Sequence, residues 1–83
     1  MAHFLFFAGV REKIGRARVE IPLPATVTTV GAMLEYLRRK GEPYASALTG
    51  PHIRVAVNQQ YARPEDPLTD NAEVAIFPPV SGG

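Results

Sequence analysis

The first apolar feature of the chain is "HFLFFAGV", a continuous run from His3 to Ala8 that Gly9 ends. A run of that length, rich in aromatic residues, predicts a strand buried in the middle of a sheet. Farther on, "ARVEIPLP" alternates, with Val19, Ile21 and Leu23 pointing one way and Arg18 and Glu20 the other. That pattern predicts a half-buried strand, and Pro22 and Pro24 place its end at a sheet edge. The segment between them, "GVREKIGR", carries two glycines and four charges, which predicts a hairpin loop.

"TTVGAMLEYLRRKGEP" predicts the one strong helix. Val30, Met33, Leu34 and Leu37 recur at i, i+3, i+4 and i+7 and so share a face. Thr29 is the expected N-cap. Arg38, Arg39 and Lys40 fall in the last turn, where the helix dipole favours cations. Gly41 is the expected left-handed stop, and Pro43 prevents continuation. Gly31 lowers helix propensity by about 1 kcal/mol relative to alanine, and close packing of the helix on the sheet would give a reason for it.

"YASALTGP" reads as a short helical turn, "IRVAVN" as a strand with Ile53, Val55 and Val57 on one face, and "QQYAR" as a brief strand or turn. "PEDPLTDNAEV" is rich in turn residues, and Asn71 tolerates the positive φ that a tight turn there requires. The last strand, "EVAIF", puts Val74 and Ile76 on one face and Ala75 and Phe77 on the other. One helix covers only one face of a sheet. The expected fold is therefore α+β: a single domain over residues 1–83, of the β-grasp (ubiquitin-like) type, with a mixed sheet of four to five strands, one main helix and a flexible Gly-Gly tail.

Composition narrows the function. The chain has 83 residues, 46% of them hydrophobic, which bounds it to one globular domain. A formal net charge of +1 gives no footprint for nucleic acid or an anionic membrane. The absence of cysteine excludes disulfides, thiolate metal sites and cysteine nucleophiles. Neither an 18-residue apolar run nor a cleavable leader is present, so a soluble cytoplasmic protein is expected. His3 and His52 lack metal-ligand spacing and read as surface or strand-end residues. Glu65, Asp66 and Asp70 sit among Pro64, Pro67 and Asn71, and read as turn chemistry more readily than as an acid–base or magnesium site. No bound cofactor or metal is expected, and the domain does not read as an enzyme.

Two features remain. Strand one is apolar on both sides, Phe4 and Phe6 opposite Leu5 and Phe7, and Phe77 opposes Val74 and Ile76. With one helix available, some of these aromatics are left either for a protein partner or for cover by a loop such as "SALTGPH". The second feature is the ending "AIFPPVSGG". Pro78 and Pro79 hold the backbone extended and cannot continue the sheet ladder. From Pro78 to Gly83 the chain reaches on the order of 20 Å, at roughly 3.3 Å per residue. Gly82 and Gly83 carry no side chain and fit a narrow channel. What they deliver is an α-carboxylate, which becomes a useful acyl donor once adenylated.

The residues quoted resemble the small subunit of molybdopterin synthase, the MoaD-type sulfur carrier family. "LFFAGVREKIG" looks like that family's opening strand and loop, with Ala8, Arg11, Glu12 and Gly15 in place, and "VAVNQQYA" looks like its third strand and turn. "PLTDNAEVAIFPPVSGG" is similar to its ending almost throughout, departing at Asn71, where glycine is usual. The resemblance implies that the Gly83 carboxylate is adenylated by an E1-like adenylyltransferase using ATP, then converted to a thiocarboxylate by a sulfur donor protein. It implies that Pro78, Pro79, Val80, Ser81 and Gly82 thread this terminus into the large synthase subunit, which holds the catalytic side chains. There sulfur passes to cyclic pyranopterin monophosphate, in a heterotetramer. Phe77, Tyr61, Phe7 and Arg11 would meet the partner; Tyr61 stands where an aliphatic residue is usual. The alternatives are a sulfur carrier for thiamine, cysteine or tRNA thiolation, a ubiquitin-like modifier, and a binding module with an inert tail. Thiamine carriers are typically shorter and lack the "FAxxRE" opening.

Overall fold

Strand alternation decides which side chains face the helix, and the computed structural model, which describes residues 1–49 and 53–79, follows it closely. The elements run β1 (Ala2–Phe6), α1 (Ala8–Ile14), β2 (Arg18–Ile21), α2 (Val30–Arg39), α3 (Tyr44–Ala47), β3 (Arg54–Val57), β4 (Gln60–Ala62) and β5 (Glu73–Phe77). The sheet is mixed, in the order β2-β1-β5-β3-β4. β1 and β5 pair in parallel at its centre, and the other neighbours are antiparallel. This is the β-grasp arrangement expected, with all five strands in one sheet.

Pairing register puts Phe4 beside Val74 and Phe6 beside Ile76. All four are essentially fully buried, and the two phenylalanine rings stack with centroids 6.3 Å apart. Val30, Met33 and Leu37 of α2 complete this core with Leu48. Burying each such side chain is worth about 1.5–3 kcal/mol, so the central strand pair and α2 carry most of the stabilisation. α2 begins as expected: the Ala32 N–H donates to Thr29 Oγ1 at 3.1 Å. It ends at Gly41, whose φ is 94°. In the turn that follows, Glu42 accepts from both the hydroxyl and the N–H of Ser46, which holds its carboxyl below the ordinary value.

Two expectations are corrected. "GVREKIGR" is not a plain loop but contains α1, whose Val10 and Ile14 lie one turn apart and are buried. Arg11, Glu12 and Lys13 face solvent, so the charges that read as loop are the helix's wet face. Gly15, at φ 84°, supplies its left-handed stop. Gly31 is needed not against the sheet but against the loop after β4. A Cβ there would come within 3.1 Å of the Pro64 carbonyl oxygen, which already accepts from the Gly31 N–H at 2.8 Å.

The β3–β4 hairpin turns through Asn58 and Gln59, with φ of 49° and 71°. Two successive left-handed residues define a type I′ turn, for which Asn-Gly is preferred. Gln59 therefore holds a conformation that costs a side-chain-bearing residue about 1–2 kcal/mol. Gln59→Gly should stabilise the domain by about 1 kcal/mol and raise Tm by about 4–8 °C. Thermal unfolding followed by circular dichroism checks this, and an unchanged or lower Tm would refute the strain.

Candidate functional site

The face of the sheet away from α2 is built by the residues that alternate with the core. Leu5 lies opposite Ala75, Ala75 opposite Ala56, and Ala56 opposite Tyr61, one on each of β1, β5, β3 and β4. Side chains directly opposite one another share a face, so these four form an apolar row across the sheet. Leu5, Ala56 and Ala75 are half-buried, and Tyr61 is 76% exposed. At the end where β5 finishes, Phe77 pairs with Arg54. The Phe77 ring meets Tyr61 at 5.9 Å between centroids, tilted by 54°, a favourable aromatic geometry.

β1 ends beside it. The Phe7 N–H donates to Ile76 O at 3.2 Å, which continues the β1–β5 pairing by one residue. Ala8 then takes φ 52°, turning the chain into α1 and leaving Phe7 48% exposed. A left-handed conformation in a residue with a Cβ is locally strained, and here it sits at the end of the sheet from which Pro78 and Pro79 continue. Arg11 is exposed on α1, its backbone N–H bonded to Phe7 O at 3.3 Å.

Of the residues singled out in the sequence, Phe77 and Tyr61 touch, Phe7 lies alongside β5, and Arg11 is one helical turn beyond. Pro78 is half-buried and Pro79 exposed. Val80, Ser81, Gly82 and Gly83, with the flexible tail expected there, lie outside the described residues, as does His52. The cover expected from "SALTGPH" falls in part there too, while Ala47 and Leu48 of that segment are buried in the core. His3 is bonded through Nδ1 to Glu20 at 2.9 Å. Asp66 accepts the Arg63 N–H at 2.8 Å, a turn role. Among the described residues no His, Asp and Glu group could hold a metal ion, and no helix is long and apolar enough to cross a membrane.

Sequence reading placed Leu5 and Ala75 on the second face but did not join them with Ala56 into one floor, and it gave no role to Arg16, Arg18 and Arg54 beside it. The alternation in "ARVEI" and "IRVAV" was the available signal, since it separates Arg18 and Arg54 from the core positions.

The geometry defines a β-grasp domain with one covered face and one open face, whose aromatic pair stands where the last strand releases the chain. The chain matches the ThiS family over residues 4–83 and belongs to it. It is 41% identical, over the whole of both chains, to the protein of Escherichia coli K12 named molybdopterin synthase sulfur carrier subunit. Among solved structures it resembles a putative molybdopterin converting factor, subunit 1, from Pyrococcus furiosus. That likeness has a TM-score of 0.77 at 27% identity, covering 95% of this chain and 97% of the other. SAMP1 (small archaeal modifier protein 1) from Haloferax volcanii is similar at TM-score 0.75 and 28% identity, covering 99% and 98%.

The Tyr61–Phe77 contact should be measurable in the free protein. In a double-mutant cycle of Tyr61→Ala and Phe77→Ala on unfolding free energy, the coupling should be about 0.5–1.5 kcal/mol. Strict additivity would show that the two rings do not stabilise each other.

Proposed function

We propose that this chain is the sulfur carrier subunit of a molybdopterin synthase, and that its reactive group is the carboxylate of Gly83. The observation that carries this reading is the aromatic patch at the root of the terminal segment, on the sheet face that α2 leaves open, in a chain of this family. A patch so placed positions a docked partner to receive whatever the terminus carries.

The chemistry follows from the carboxylate's weakness as an electrophile. An E1-like adenylyltransferase activates it: a Gly83 oxygen attacks the α-phosphorus of ATP and pyrophosphate leaves. A sulfur donor protein then supplies sulfur at the sulfide level, whose attack on the acyl carbon breaks the bond to AMP, expels AMP and leaves a terminal thiocarboxylate. ATP is consumed by the activating enzyme and is not a cofactor of this chain. The large synthase subunit receives the tail. Pro78 and Pro79 restrict the backbone to extended geometry, Val80 and Ser81 link them to Gly82, and Gly82, with no side chain, suits a narrow channel. Sulfur moves to cyclic pyranopterin monophosphate, and two such transfers complete the dithiolene.

This chain contributes docking and delivery, and the acid–base groups belong to the large subunit. The docking energy comes from burying Phe77, Tyr61 and Phe7, with Arg11 at the margin; aromatic anchors of this kind dominate interfaces. A modifier function, in which Gly83 would be joined to lysine amines, is the second reading, favoured by the likeness to small archaeal modifier protein 1.

Incubation with the activating enzyme, ATP and the sulfur donor should raise the intact mass by the difference between one sulfur and one oxygen atom. No shift would sink the carrier reading, and conjugates on lysine would favour the modifier. Deleting Gly83 should abolish sulfur transfer while leaving affinity for the large subunit within about twofold. Phe77→Asp should weaken that affinity by at least about a hundredfold, the loss of a hot-spot anchor of about 3 kcal/mol.

A further inference from the structure

The open face of the sheet is electrically polarised along the strands. Arg18 lies opposite Leu5 on the outer face, and Arg54 lies opposite Phe77 at the same end. Glu20 and Glu73 both lie opposite His3, toward the other end. Arg16 and Arg18 line an open groove of about 560 Å³ beside Leu5, with His3, Glu20 and Glu73 along its far part. Both arginines are exposed, and among the described residues neither makes an ion pair. The acid nearest them on β2, Glu20, is engaged by His3 at 2.9 Å. The chain as a whole carries only +1, so this is a patterned surface and not a general cationic one.

We propose that Arg16 and Arg18 form a steering contact for a partner protein that carries carboxylates on the rim of the socket receiving Phe77 and Tyr61. The groove beside Leu5 would seat one such acidic side chain between the two guanidinium groups. The inference rests on the reading that the outer face docks to the large synthase subunit, and it adds the chemistry of that subunit's rim. A partner is favoured over a second copy of this chain by where the arginines lie. They share the end of the sheet from which the terminus leaves, so an acidic rim there orients the tail toward the partner's site. Exposed rim charges act mainly on the encounter rate, and buried aromatic anchors act mainly on the lifetime of the complex.

The test is association and dissociation of the full chain with its large subunit, measured by stopped flow or surface plasmon resonance across a salt series. Wild-type association should slow by about tenfold or more as salt rises from about 0.02 to about 0.5 M, because screening shortens the reach of the charges. Arg16→Glu with Arg18→Glu should lower the low-salt association rate by about tenfold and flatten the salt dependence, with dissociation changed less than about twofold. Arg16→Gln with Arg18→Gln should fall between the two. Phe77→Ala should do the opposite, raising dissociation and sparing association. Thermal unfolding of the arginine variants should match wild type, since both side chains are exposed.

An unchanged association rate in the charge-reversed variant overturns the steering contact while leaving the docking face in place. Failure of the wild-type chain to bind the large subunit overturns both. A salt-sensitive dimer of the free chain, abolished by the charge reversal, would assign the arginines to self-pairing and also overturn the proposal.

Discussion

The parallel pairing of β1 with β5 is the constraint on which the other features depend. It joins the first and last strands at the centre of the sheet, so the core cannot form until nearly the whole chain is in place. It also fixes a register in which Phe4 meets Val74 and Phe6 meets Ile76. A slip of β5 by one residue against β1 would turn Val74 and Ile76 outward and bring Ala75 and Phe77 in against Phe4 and Phe6. With full burial of the first set at stake, about 1.5–3 kcal/mol per side chain, such a slip is excluded. The outer face is therefore set by the core: Phe77 points outward because Ile76 must point inward.

The same pairing decides where the chain leaves the fold. β5 runs parallel to β1 and ends level with it, and Pro78 and Pro79 then stop the ladder because proline has no N–H to give. Phe7 and Ala8 turn into α1 at that point, and Phe77 beside them is half-buried. Phe77 ends β5 and touches Tyr61 of β4, and Phe7 follows the end of β1, bonded to Ile76. On the function proposed, binding and delivery are coupled by covalent geometry, since a partner that grips Phe77 holds the residue next to Pro78.

Much of this was legible because the informative segments obey a single period. β5 alternates strictly, and its five letters already separate Val74 and Ile76 from Ala75 and Phe77. α2 was legible for the same reason, with Thr29 and Gly41 marking its ends as capping chemistry requires. α1 was not, because a seven-residue helix offers only Val10 and Ile14 as a periodic signal, between two glycines and among charges. β1 was ambiguous in another way: a strand apolar on both sides has no internal sign for which face is buried. Only pairing with β5 assigns Phe4 and Phe6 to the core. The neighbour of Gly31 was beyond reach, since it depends on where the loop at Pro64 passes. The groove of Arg16 and Arg18 likewise needs the β1–β2 register before it exists.

The composition of the open face limits how much apolar surface this small domain leaves uncovered. Two of the four residues in the central row are alanine, so the floor is flat and only mildly apolar. The large rings are confined to one end, and charged residues of both signs occupy β2 and the strand ends around them. Leucine or phenylalanine in place of Ala56 and Ala75 would enlarge the patch toward the size at which soluble proteins aggregate. It would also raise the floor and prevent a partner from approaching the sheet closely. Small residues at the centre and aromatics at one end thus confine the large apolar side chains of the open face to the end where β5 finishes.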